Sequence, residues 1–315
     1  MKVLGIAMGR RNGNSEILLK HALKACEEDG AEVSFFRLHD YHINPCTGCE
    51  LCTKLGRRHE ERHCMYPWDA DDTRQIADMI EAADGLILAA PAYHLMPPGI
   101  GTVMLNRNHC CIDVPGHRGD YSFKRRVCAS IGVGGSDWTS LFMPILNFIG
   151  TEMLGSTMHL ADQMKLHRTP AVGMVLCNKE ALDRATQLGH NVMTELKREE
   201  EVVVYHGEEG MCPICHNSIV VIRNGRMACA ICDYEGDPVI EDGKIKSIKW
   251  DCGIEGTRWS PHGNEHHDSE QFTSVKFDKE AGGVGYVFTE EQQKEMAEGR
   301  AKWSKYLEPV MPKRK

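Results

Sequence analysis

The chain has 315 residues, 42% of them hydrophobic and 26% charged, with a formal net charge of −8. That length holds one large core with a satellite, or two domains; no apolar run is long enough for a bilayer span, and the acidic balance gives no overall pull toward nucleic acid or anionic membrane. Fourteen cysteines behind an N-terminus that reads as a buried strand, not an export signal, point to the cytoplasm and to thiols used as metal ligands.

In chain order, residues 2–7 (KVLGIA) predict a first strand closed by a Gly/Asn-rich turn. Glu16–Glu28 predicts a helix with Ile17, Leu18 and Leu23 on one face. Glu32–Leu38 is a second strand, followed by a cysteine-rich loop. Asp72–Ala83 is a helix with Ile76, Met79 and Ile80 aligned. Gly85–Ala90 is continuously apolar, as expected of a strand buried on both faces. Gly99–Asn106 and Thr139–Ile149 are helical, Val127–Gly132 is the fourth strand and Glu152–Met158 the fifth. Lys179–Glu200 is a long amphipathic helix. The alternation predicts an α/β fold, a doubly wound parallel five-stranded sheet with helices on both faces. Residues 1–205 form this first domain, with residues 44–65 as an inserted loop. Composition shifts near Gly207, so 206–288 is a small metal-bound β module. Residues 289–315 are a terminal helix, begun by Thr289, and a tail.

Residues 8–15 (Met-Gly-Arg-Arg-Asn-Gly-Asn-Ser) join the first strand to the first helix. Backbone N–H groups at a helix start make an anion cradle, and Arg10, Asn12, Asn14 and Ser15 add donors for a phosphate. An ordinary turn capped by Asn14 or Ser15 is the plainer reading. Pro91-Ala92-Tyr93-His94 follows the third strand, and Gly132–Trp138, with Gly134, Gly135 and Ser136, follows the fourth. In an open parallel sheet these loops converge outside the carboxyl ends of the strands.

Cys46, Cys49 and Cys52 stand at two-residue gaps, and Cys64 follows after eleven residues. Three thiols this close fit one face of an iron–sulfur cube, which a fourth completes. A four-thiolate zinc site, or reduced cysteines that bind nothing, are the alternatives; His59 or His63 could replace Cys64.

These stretches resemble the NADPH-dependent FMN reductase and iron–sulfur flavoprotein families over roughly residues 1–200. The resemblance rests on the Arg10–Ser15 loop, Pro91–Tyr93, the glycine loop before Trp138 and the Cys46–Cys64 loop. It implies a flavodoxin-like fold holding FMN, with phosphate on the first loop and the ring against Pro91, Ala92, Tyr93, His94, Gly134, Gly135, Ser136 and Trp138. It also implies a [4Fe–4S] cluster on Cys46, Cys49, Cys52 and Cys64, and a homo-oligomer. Such families carry a Gly-Ser pair before the arginine, where this chain has Ala7-Met8-Gly9. Tyr93 and His94 are the side chains placed beside the ring as catalytic candidates.

Cys212-Pro-Ile-Cys215 and Cys229-Ala-Ile-Cys232 are two knuckles separated by thirteen residues with an Asn224-Gly225 turn. This is the zinc-ribbon arrangement, with a rubredoxin-like iron as the alternative. Acidic residues crowd it, which disfavours nucleic acid. Buried thiols at a helix end describe Cys110-Cys111. Cys26, Cys128 and Cys177 are core; Cys252, His262, His266 and His267 have no assigned role.

The expected activity is an FMN- and [4Fe–4S]-dependent oxidoreductase taking electrons from ferredoxin or NAD(P)H to a small-molecule acceptor. The rivals are an NAD(P)H-dependent FMN or quinone reductase with structural metals only, and a non-catalytic zinc-ribbon scaffold.

Overall fold

The computed structural model describes residues 1–49, 51–52, 64–67, 69–113, 125–137, 141–153, 158–200, 203–207, 212–251, 276–278, 283–285 and 288–306. Trp138, His59, His63, Cys252, His262, His266 and His267 lie outside them. Strands β1 (Lys2–Ala7), β2 (Glu32–Arg37), β3 (Gly85–Pro91), β4 (Arg126–Val133) and β5 (Met158–Leu166) form one parallel sheet in the order β2-β1-β3-β4-β5. This is the doubly wound flavodoxin-like order, whose strand sequence reverses between β1 and β3.

Helices α1 (Asn14–Glu28), α2 (Thr73–Glu81), α3 (Gly99–Asn108), α4 (Phe142–Glu152) and α5 (Lys179–Lys197) cover its two faces. Because alternate strand residues point to opposite faces, the core is split in two. Leu4, Ile6, Leu86 and Leu88 pack with Ile76, Ile80, Leu146 and Ile149. Val3, Ile87, Val127 and Ile131 pack instead with Leu18, Leu19, Leu188 and Val192. Among the described residues no helix is long and apolar enough to cross a membrane.

The fifth strand differs from its prediction. Residues 142–152 are helical, and β5 begins at Met158 rather than ending there. Asp162 and Gln163 interrupt the apolar pattern inside β5, yet both are buried. Asp162 accepts from Arg184 Nη1 at 2.9 Å and Asn191 Nδ2 at 2.7 Å, both from α5, so the charge is paired by a helix that arrives later in the chain. Cys26 and Cys128 are buried as expected, whereas Cys177 is exposed, since it closes a 3₁₀ turn (Met174–Cys177) rather than entering the core.

A second sheet of antiparallel strands follows: β6 (Val220–Arg223), β7 (Arg226–Cys229), β8 (Glu235–Glu241) and β9 (Lys244–Trp250). It meets the edge strand β5 through polar contacts. The His216 ring stacks on Tyr205 at 3.7 Å, and Gln163 Nε2 donates to the Tyr205 hydroxyl at 2.6 Å and the His216 carbonyl at 3.0 Å. Burial holds His216 neutral, with its pKa down at about 3. A short hairpin, β10 (Lys276–Asp278) with β11 (Gly283–Gly285), and α6 (Glu290–Trp303) complete the described elements. Thr289 and Gln292 form a reciprocal capping box on α6.

Glu16 in the first turn of α1 is fully buried, with Arg37 Nε at 2.6 Å and Lys20 Nζ at 2.7 Å. Burial alone would raise its pKa, but hydrogen bonds from Arg37 and Lys20 outweigh that and hold it at about 2, against an ordinary 4.5. A carboxyl depressed by folding contributes stability that is fully present above the unfolded value. That stability is lost as pH falls from 4.5 through 2. The expected contribution is about 3 kcal/mol. Urea midpoints at pH 7 and pH 3 should therefore diverge in the parent and converge in Glu16→Gln; equal acid sensitivity of the two proteins would remove the assignment.

Candidate active site and metal centres

A cleft of about 220 Å³ opens at the carboxyl ends of β1, β3 and β4, lined by Arg10, Gly13, Asn14, Ser15, Pro91, Ala92, Tyr93, Val133, Gly135, Thr169 and Pro170. It lies at the point where the strand order reverses, the place open α/β sheets offer a ligand. The first loop is built for close approach. A Cβ on Gly9 would stand 3.0 Å from both Pro91 Cδ and Ser15 Oγ, so a larger residue would press the two loops apart. Asn12 takes φ 56°, and the Gly13 N–H closes the turn on the Arg10 carbonyl at 3.1 Å. Glu16 accepts the Asn12 N–H at 3.3 Å, so the buried ion pair also fixes this turn. Gly13 caps α1 with no side-chain acceptor for the helix's first amides.

The predicted phosphate donors divide. Arg10 is exposed at the cleft and Ser15 is buried beneath it. The Asn14 side chain is spent elsewhere. Its Nδ2 donates to the Thr169 and Ala171 carbonyls at 3.0 and 2.7 Å, and its Oδ1 accepts the Val175 N–H at 3.2 Å. Asn14 thus staples α1 to the segment after β5 and leaves only its backbone for a ligand. Asn12 is exposed and does not line the cleft.

In the second loop, Tyr93 and Met96 exchange backbone hydrogen bonds at 2.8 and 3.1 Å around His94 (φ 47°) and Leu95 (φ 72°). Two consecutive left-handed residues make a tight turn that ordinarily takes Asn-Gly, and a leucine there is strained. Tyr93, Leu95 and Met96 are all exposed, and His94 stands at the tip, outside the cleft lining. In the third loop, the Gly134 N–H donates to the Leu166 carbonyl at 2.8 Å, and the Gly134 carbonyl accepts from Thr169 at 3.1 Å. Ser136 accepts through its carbonyl from His167 Nδ1 at 3.3 Å. Thr169 and Pro170 were not anticipated from the sequence. They follow β5, so placing that strand too early hid the fourth loop of the cleft.

Cys46 and Cys49 are exposed, and Cys52 and Cys64 half-buried. Cys52 and Cys64 pack against the core on this side of the sheet. The two limbs of this loop are tied together: Thr47 Oγ1 donates to Met65 Sδ at 2.8 Å, and the Tyr66 hydroxyl to the Pro45 carbonyl at 3.2 Å. The Leu51 N–H and the Thr47 hydroxyl lower the Cys49 pKa, whereas burial raises that of Cys64. A thiolate-stabilising N–H beside Cys49 suits a metal-ligating role.

The Cys212, Cys215, Cys229 and Cys232 sulfurs all lie within 4.8 Å of one another. Cys212–Cys232 is 3.5 Å and Cys215–Cys229 is 3.4 Å. The Ile231 N–H points at Cys229 Sγ at 3.5 Å. Four sulfurs this close match the ligand set of a single tetrahedral ion. A cubane's thiolates sit on separate irons and stand farther apart.

Sheet order and cleft position define a flavodoxin-like fold, and the family match of its first 148 residues makes it a flavin-dependent oxidoreductase. Residues 1–148 match the model of the NADPH-dependent FMN reductase family. The chain is 28% identical over 278 residues to flavone synthase cfoJ of Aspergillus candidus, covering 79% of this chain and 81% of that one. It is 39% identical over 94 residues to iron–sulfur flavoprotein MJ1083 of Methanocaldococcus jannaschii, covering 30% of this chain and 44% of that relative. A solved flavone reductase superposes with a TM-score of 0.68 at 23% identity, over 99% of this chain and 100% of that one. The likeness to cfoJ is longer than residues 1–148 and so extends beyond the flavin-reductase part.

Arg10→Ala is expected to weaken FMN binding about tenfold, the loss of one solvent-exposed charge-assisted hydrogen bond. Quenching of FMN fluorescence on titration measures it; an unchanged affinity would remove Arg10 from the phosphate loop.

Proposed function

We propose that this chain holds FMN in the cleft and a [4Fe–4S] cluster on Cys46, Cys49, Cys52 and Cys64, and carries electrons from ferredoxin or NAD(P)H to a small acceptor. The observation that carries the reading is the convergence of Arg10, Ser15, Pro91, Ala92, Tyr93 and Gly135 on one cleft at the switch point. FMN accepts electrons singly or in pairs, which lets a one-electron donor serve two-electron chemistry. The chain's own groups supply the phosphate cradle, with Tyr93 lining the cleft and His94 on the adjoining turn as the proton-bearing side chains we assign to an incoming acceptor. The acceptor we favour is a flat, largely apolar aromatic of the flavonoid class. Two relatives are named for flavones, and Tyr93, Leu95 and Met96 offer an exposed apolar rim at the cleft. The four-thiol site of the β module holds zinc as a structural staple, with the whole protein a homo-oligomer in the cytoplasm.

Anaerobic purification with iron, sulfide, zinc and FMN counted per chain tests the assembly. Four irons, one zinc and one FMN support it. Rapid bleaching of FMN by NADPH in protein free of iron would instead establish a plain flavin or quinone reductase. His94→Ala should keep its FMN and lose about tenfold in turnover, the low end of what a positioned acid–base group contributes; normal turnover would end a proton-transfer role for His94.

A further inference from the structure

Behind the cysteine loop lies a buried ion pair that neither the cleft nor the β module uses. Arg107, at the end of α3, has a side chain 2% exposed, and Asp71, its partner at 2.7 Å, is 3% exposed. Arg107 Nη1 also donates to the Asn44 carbonyl at 2.9 Å, two residues before Cys46. The guanidinium lies 4.8 Å from the ring centre of Tyr66, two residues after Cys64. Asp71 in turn accepts the Asn44 N–H at 3.0 Å and the Thr73 N–H at 3.1 Å. One pair therefore spans the entry and return limbs of the loop and the start of α2. Immediately after Arg107 the helix widens into a π turn, His109–Asp113, a form concentrated at functional sites. That turn brings Cys110 Sγ to the Arg107 carbonyl at 3.1 Å and against Cys64. The guanidinium lies within electrostatic reach of both thiols.

A purely structural clamp accounts for Nη1 but not for Nε. Arg107 Nε is buried and has no hydrogen-bond partner among the described residues. Leaving such a donor unsatisfied is costly, and an apolar pair of the same volume would fold as well or better. An anionic group with sulfur acceptors on the neighbouring cysteines is the chemistry that offsets this.

Resting on the cluster reading above, we infer that Arg107 positions the cysteine loop and sets the reduction potential of the group held by Cys46, Cys49, Cys52 and Cys64. One electron from an external donor adds one negative charge to an already anionic cluster. A cation in low-dielectric surroundings favours that reduced state, and Asp71, its counter-charge, moderates the effect.

Mediated redox titration of the holoprotein, with dithionite as electron source and viologen dyes, reads the potential directly. Asp71→Asn leaves the cation uncompensated and should raise the reduced-to-oxidised ratio about tenfold at fixed potential, 59 mV for a one-electron couple. Arg107→Gln combined with Asp71→Asn should lower it by a similar factor, and Arg107→Lys should stay near the parent. Opposite shifts at parental iron content support the assignment, because a merely structural role would change cluster content instead. Shifts of one sign, or none, in iron-loaded variants overturn it; if the double variant loses iron, an unmoved potential in Asp71→Asn does so alone. A parent chain with neither iron nor sulfide overturns the cluster reading together with this one, and the elemental count tells the two failures apart.

Discussion

Stripping the zinc we propose for Cys212, Cys215, Cys229 and Cys232 is expected to unfold residues 212–251 while leaving the parallel sheet and its FMN in place. The hydrophobic cluster of this module consists of Cys212, Ile214, Cys215, Cys229 and Tyr234, with Ile231, Cys232 and Trp250 at its margin. Half of that core is ligand. Val221, Ile222, Ile240 and Ile245 point outward and are exposed, so the strands bury little of their own. A unit this small cannot offset its conformational entropy by burial, whereas four thiolates on one zinc contribute on the order of 10 kcal/mol. Hydrogen exchange before and after mercurial treatment, with released zinc counted colorimetrically, is the measurement. Amides of β6–β9 should lose protection while those of β1, β3 and β4 keep theirs. Unchanged exchange in β6–β9 after one equivalent of zinc is released would show that the module folds on its own core. The Gln163–Tyr205–His216 contact predicts a smaller local loss at the β5 edge.

Replacing Gly189 by alanine should be the most damaging single methyl addition to the sheet domain. Gly189 lies in α5 where it crosses α1. An added Cβ would stand 2.2 Å from the Ala22 carbonyl oxygen and 2.9 Å from Ala25 Cβ. Cys26 Sγ also donates to the Gly189 carbonyl at 3.4 Å, so the two backbones are in direct contact. Alanine recovers about 1 kcal/mol of helix propensity over glycine. Against that, the helices must separate, pulling Leu18, Leu19, Ala22 and Leu23 away from Leu188, Val192 and Met193. Overpacking of this kind costs about 1–3 kcal/mol, more where the obstacle is backbone, as here. The clash wins, and a net loss of at least about 2 kcal/mol is expected. Because α1 begins at the Arg10–Ser15 loop, FMN affinity should fall with stability. Urea midpoints and FMN titrations of Gly189→Ala check both; a midpoint at or above that of the parent would mean that the crossing tolerates separation.

Much of this protein is local and therefore visible in the chain itself. The apolar runs at residues 2–7 and 85–90 become β1 and β3, since a strand buried on both faces needs no partner pattern to announce it. The Arg10–Ser15 and Pro91–His94 loops are found where strands end and helices begin, and the paired Cys-x-x-Cys knuckles prescribe a tetrahedral site by spacing alone. Contacts between distant segments decided the rest. β5 escaped detection because Asp162 and Gln163 look like surface residues until Arg184, Asn191, Asn147 and Tyr205 are brought to them. Asn14 has the side chain of a phosphate donor, and only the tertiary structure commits it to Thr169, Ala171 and Val175. Arg107 sits in a helix with no motif around it and gains meaning from Asn44, Tyr66 and Asp71, more than thirty residues away in sequence. Periodicity and spacing report what a segment does with its neighbours in the chain; buried polar groups are chosen for partners that only folding supplies.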